Sequence, residues 1–181
     1  YTRDVAGNLT SGWTQRSKLL AEDGGLGDWF GYAVAISGDT VVVGAYQDDD
    51  KGSDSGSAYV FTRDVAGSLT SGWTERSKLV PTDGAKGDYF GTSVACSGDT
   101  VVVGAYGDAD KDPLSGSAWV FTRDVAGSLT SAWGQRSKLL ASDGNASDYF
   151  GFNVAISGET VVVGAYYADG KGTHSGSAYV Y

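Results

Sequence analysis

The chain alternates short apolar runs with clusters of Gly, Ser, Asp and Thr, and no stretch carries the 3.6-residue period of an amphipathic helix. The most regular pattern is Phe30-Gly31-Tyr32-Ala33-Val34-Ala35-Ile36-Ser37-Gly38-Asp39-Thr40-Val41-Val42-Val43-Gly44-Ala45-Tyr46. It predicts two strands joined by a tight Ser37-Gly38-Asp39-Thr40 turn, because Gly at the first central position suits a primed hairpin. Val41-Val42-Val43 shows no polar alternation, so the second strand should be buried on both faces, worth about 1.5–3 kcal/mol for each fully buried valine.

This pattern returns as Phe90 to Tyr106 and as Phe150 to Tyr166, and the whole chain repeats with it, in units 1–60, 61–120 and 121–180. Within a unit two more strands are predicted. Gly56-Ser57-Ala58-Tyr59-Val60-Phe61 alternates small and aromatic residues, and Trp13 to Leu20 places Arg16 and Lys18 where basic side chains guard a sheet edge. In the first copy the outer strand is preceded by the strand end Tyr1-Thr2-Arg3 and a loop over Asp4 to Gly12. Asp23-Gly24 reads as turn chemistry, and Asp28, just ahead of a strand, as a residue that ties down a turn rather than a ligand.

Four antiparallel strands per unit, repeated in tandem, predict an all-β, β-propeller-type array of four-stranded blades over 1–181. The blades are offset from the sequence repeats, at about 28–80, 88–140 and 148–181, the last completed by 1–20 or by a neighbouring chain. Three blades are fewer than the four or so that close a ring. The chain is therefore expected to form part of a larger ring or assembly, two chains making a six-bladed ring being one solution.

The charge narrows the partners. With 22 acidic and 13 basic residues the net charge is −9, which repels a phosphate backbone. Nucleic acid is not an expected partner, and no apolar stretch approaches the roughly 20 residues that span a bilayer. The absence of Met points to a processed or excerpted chain. Cys96 stands where the other copies have Ile36 and Ile156 and reads as a small buried hydrophobe.

Phe30-Gly31 followed by Gly44-Ala45-Tyr46 resembles the FG-GAP repeat, the blade unit of the integrin α-subunit propeller and of many secreted proteins. The resemblance extends over all three units and is closest to tandem repeats of secreted microbial and algal proteins. It implies a non-enzymatic, extracellular or cell-surface protein. Integrin-type blades hold calcium in an Asp-rich loop between their first two strands. Here that connection is only Ser37 to Thr40, so that site does not carry over, and Tyr46, Tyr106 and Tyr166 stand where the name-giving Pro would be.

Other residues carry the candidate chemistry. In the variable loops Gln47 to Ser55 and Gly107 to Ser115, Asp48, Asp50 and Asp54, and likewise Asp108, Asp110 and Asp112, are spaced to converge. Calcium, which takes six to eight oxygens from flexible acidic loops, is the cofactor they would suit. The third loop, Tyr167 to Ser175, keeps only Asp169. Trp13, Trp73 and Trp133 occupy matching positions beside a loop, as blade anchors or as stacking platforms for glycans. Asn8 and Asn145 head N-glycosylation triplets. The sole histidine, His174, has no repeated counterpart and no triad around it in sequence, so no catalytic residue is expected. Surface loops copied as faithfully as the core favour a structural or adhesion protein that contacts copies of itself, building a fibre or multimer. A secreted lectin-like module is the alternative.

Overall fold

The computed structural model describes residues 2, 3, 8 and 10–181, and the regular elements among them are all strands. Residues 1, 4–7 and 9, within the expected opening strand and loop, lie outside the described residues. β1 (Thr2–Arg3) pairs with β2 (Trp13–Thr14). β3 (Ala33–Ser37), β4 (Thr40–Ala45), β5 (Ser57–Arg63) and β6 (Trp73–Leu79) form one antiparallel meander. β7 (Phe90–Ser97), β8 (Thr100–Ala105), β9 (Ser117–Arg123) and β10 (Trp133–Leu139) form the next, and β11 (Phe150–Ser157), β12 (Thr160–Ala165) and β13 (Ser177–Val180) a third of three strands.

The local chemistry explains each strand. Ser37 pairs with Thr40 across a two-residue turn in which Gly38 has φ 55°, a left-handed value that glycine adopts without strain. The valine-rich β4 is central, between β3 and β5, and is almost wholly buried. The basic strands β6 and β10 lie at sheet edges. The register of β6 slips between Glu75 and Ser77, leaving Arg76 as the extra residue of a bulge, a second device that keeps an edge from pairing further.

One expectation needs correction. The outer strand of the first copy, predicted over Trp13 to Leu20, is a strand only at Trp13–Thr14, whereas its counterparts run the full Trp73–Leu79 and Trp133–Leu139. The reason is the partner: β6 and β10 zip along the seven-residue strands β5 and β9, while among the described residues β2 pairs with the two residues of β1.

The sheets stack through their inner strands, β7 against β3 and β4, and β11 against β7 and β8. Two signature glycines make this approach close. A Cβ on Gly44 would collide with the Gly91 carbonyl, and one on Gly91, at φ 92°, with the Ser57 carbonyl; Gly104, Gly151 and Ser117 repeat the arrangement one sheet on. The backbones also join directly. Phe90 N–H donates to Ser55 O at 3.0 Å and Tyr89 N–H to Asp54 O at 3.1 Å, and parallel bridges link Gly56 to Phe90 and Gly116 to Phe150.

Each sheet therefore has a face toward its predecessor and a face toward its successor. Val42, Ala58, Val60 and Leu79 of the first meander pack against Phe90, Val101, Val103, Phe121 and Trp133 of the second, with Val94 and Cys96 alongside. Burial pushes the Cys96 thiol up to about 11, as expected of a packed cysteine. Val102 and Ala118 meet Phe150, Val161 and Val163 in the same way. On the leading face of the first meander, Leu19 and Ala21 cover Val43, Tyr59 and Phe61, taking the place that Leu79 takes one blade later.

Candidate interaction surface

The acidic loops were expected to converge, and in part they do. Asp48 and Asp50 face one point together with Asp23 from the preceding turn, and the Lys78 ammonium occupies that point, 2.8, 2.6 and 2.7 Å from the three carboxylates. The Tyr59 hydroxyl lies 2.8 Å from Asp23 and 3.0 Å from Asp48. Burial works against the Lys78 charge, but Asp23, Asp48 and Asp50 outweigh it and hold the ammonium above its ordinary range, while the Lys78 contact holds Asp23 below its own. The second blade repeats the cluster with Lys138 at 2.9, 2.7 and 2.5 Å from Asp83, Asp108 and Asp110.

Asp54 and Asp112 stay outside. Asp54 takes a left-handed φ of 58°, with its N–H donating to Asp49 at 2.8 Å, and the Asp112 N–H points at Ser115. Among the described residues no group of three or more His, Cys, Asp or Glu is arranged around an open position for a metal ion. In the third blade Ala168 and Gly170 replace the loop acids, and Asp143 accepts the Tyr179 hydroxyl at 2.8 Å. Asp28, Asp88 and Asp148 do tie down turns, accepting the N–H groups of Gly25, Ala85 and Asn145 at 2.5–2.7 Å.

The three tryptophans differ. Trp133 is buried beneath the Arg123 guanidinium at 4.6 Å from the ring centre, and Trp73 is half-buried beneath Arg63 at 4.4 Å, while Trp13 is 59% exposed. Each arginine is anchored by a carboxylate, Asp39 at 2.7 Å and Asp99 at 2.6 Å. Arg123 also reaches back to Thr40 of the preceding blade at 2.8 Å. Asn8 and Asn145 are exposed. His174 stacks on Tyr167 at 3.7 Å, and the Ser175 hydroxyl accepts the Lys171 N–H.

A row of aromatic rings that spacing did not single out crosses all three blades. It runs through Trp29, Tyr46, Tyr89, Tyr106, Tyr149 and Tyr166, each ring centre 5.0–6.1 Å from the next, with Tyr32 and Phe152 beside it. Two elements of every blade supply it: the residue before the Phe-Gly pair, held at positive φ in all three copies, and the tyrosine after Gly-Ala. The only signal in the sequence was the recurrence of these two positions.

The stack has two unlike ends. Val34 and Ile36 of β3 are 69% and 65% exposed, although their counterparts Val94 and Cys96, and Val154 and Ile156, pack on the preceding blade. At the other end Val162 and Val180 are 36% and 70% exposed, where Val42 and Val60 are fully buried under the following blade.

A family model described as the FG-GAP repeat matches residues 13–61, 73–121 and 133–181. No curated protein matches the chain.

Proposed function

The chain belongs to the FG-GAP repeat family, a generally non-enzymatic family whose repeats carry protein–protein contacts, and on that premise we propose a structural or adhesion protein of the cell exterior whose blade faces bind further copies of the chain. The supporting observation is the complementarity of the two ends. Val162 and Val180 offer the surface that Val42 and Val60 offer inside the stack, and Val34 and Ile36 offer the surface that Val94 and Cys96 bring to it. The contact between copies then repeats a packing the chain already makes twice. It is heterologous, so it gives a fibre if it stays open and a ring of two chains if it closes.

The proposal is tested by light scattering on this chain across a concentration series. The expected mass exceeds one chain and rises with concentration, and Val34→Asp with Ile36→Asp returns it to one chain with an unchanged circular dichroism spectrum. A compact single chain throughout overturns the proposal.

A further inference from the structure

The aromatic row is not uniform. Tyr89 and Tyr106 are stacked within 9° of parallel at 5.0 Å, and Tyr149 and Tyr166, the same two positions one repeat later, within 13° at 5.5 Å. The links between blades are inclined, Tyr46–Tyr89 by 46° and Tyr106–Tyr149 by 70°. In the first blade Trp29 replaces the first tyrosine and meets Tyr46 at 60°. A sugar-binding platform needs a free ring face, and in the stacked pairs each ring covers one face of the other. Tyr166 is 50% exposed, and Tyr89, Tyr106 and Tyr149 are half-buried, so small oxidants reach the row.

We propose that Tyr89–Tyr106 and Tyr149–Tyr166 are sites of oxidative cross-linking to dityrosine, with hydrogen peroxide as oxidant and a haem peroxidase as catalyst. Each phenol loses one electron and its hydroxyl proton, and the two phenoxyl radicals join through ring carbons ortho to their oxygens. The hydrogens on those carbons then move to the oxygens, restoring both aromatic rings. The two electrons and two protons reduce one peroxide to two waters. Two near-parallel rings at 5.0 and 5.5 Å turn the carbons of one ring toward those of the other, whereas an inclined pair presents an edge to a face. Tyr32–Tyr46, closer at 4.3 Å but inclined by 46°, is therefore not a bridge. Each bridge closes a short loop, from 89 to 106 and from 149 to 166, so the cross-linked protein resists unfolding by the same restriction of the unfolded chain that a disulfide imposes.

The experiment treats the folded protein with a haem peroxidase and peroxide, with peroxide alone as control. The expected result is blue dityrosine fluorescence, a loss of two hydrogens per bridge in the intact mass, peptide maps joining 89 to 106 and 149 to 166, and a raised melting temperature. Tyr106→Phe, which keeps the ring and so the packing, removes one bridge and leaves the other, and Tyr106→Phe with Tyr166→Phe removes both. Absence of dityrosine, bridges confined to Tyr32–Tyr46, or bridges only between chains overturns the proposal.

Discussion

Replacing Gly91 by Ala tests how the blades are held together. Gly91 has φ 92°, and a methyl there meets the Ser57 carbonyl of the preceding sheet closer than any real Cβ approaches an oxygen. The backbone conformation alone costs an L-residue about 1–2 kcal/mol, and forcing a methyl into a filled contact adds about 1–3 kcal/mol. The sum, about 2–5 kcal/mol, is a large part of the 5–15 kcal/mol that a domain has. Gly98 supplies the control in the same sheet, since its φ is 56° and a Cβ there meets nothing within 4 Å. Gly98→Ala should cost only the conformational part, about 1–2 kcal/mol. Equilibrium urea unfolding measures both. Equal losses in the two variants would refute the close approach between sheets, because only one glycine touches a neighbour.

Lys78→Met leaves Asp23, Asp48 and Asp50 facing one another without their cation. Stripping one partner from a buried pair costs about 3–5 kcal/mol, and since Asp23 and Asp50 are half exposed a loss of about 2–3 kcal/mol is expected, read by urea unfolding. The emptied cluster should then take calcium: millimolar calcium raises the melting temperature of Lys78→Met over that in chelator, and leaves that of the parent protein, where the Lys78 ammonium fills the position, unchanged. Burial pushes the Asp88 carboxyl up to about 6, above its ordinary 3.8. The folded state thus holds this proton more tightly than the unfolded chain, and the group's contribution to stability falls as pH rises from 3.8 to 6. Asp88→Asn, which can still accept the Ala85 N–H, should flatten that segment of the stability–pH curve measured by urea unfolding at successive pH values.

Most of the architecture was legible in the sequence because each strand carries its own local signal. The uninterrupted Val41–Val43 run marked a strand buried on both faces, Gly38 its turn, and Arg16 and Lys18, whose copies in β6 are Arg76 and Lys78, an outer edge. The site was legible only in part. Asp48 and Asp50 were found by their loop spacing, but Asp23 looked like a plain turn residue, and Lys78, 55 residues from Asp23, is the copy of Lys18, which was read as an edge guard. Lys78 is both, since the edge strand folds back along β5 and brings its ammonium to the loop. The tyrosine row joins residues from different elements and different blades, a relation set by sheet stacking that no pattern along one strand encodes. The shortened β2 shows the same limit from the other side, since Trp13 to Leu19 nearly copies Trp73 to Leu79, but pairing depends on the neighbouring strand.

The central claim, that one chain's leading face packs on another's trailing face as consecutive blades pack within it, is tested most directly by a disulfide between copies. Cys96 lies in the same cluster as Val42, and the corresponding pair between copies is Ile36 with Val162. With Cys96→Ser, Ile36→Cys and Val162→Cys in one chain, mild oxidation should give a ladder of covalent multimers that collapses on reduction. Oxidised protein that runs only as single chains would contradict the account.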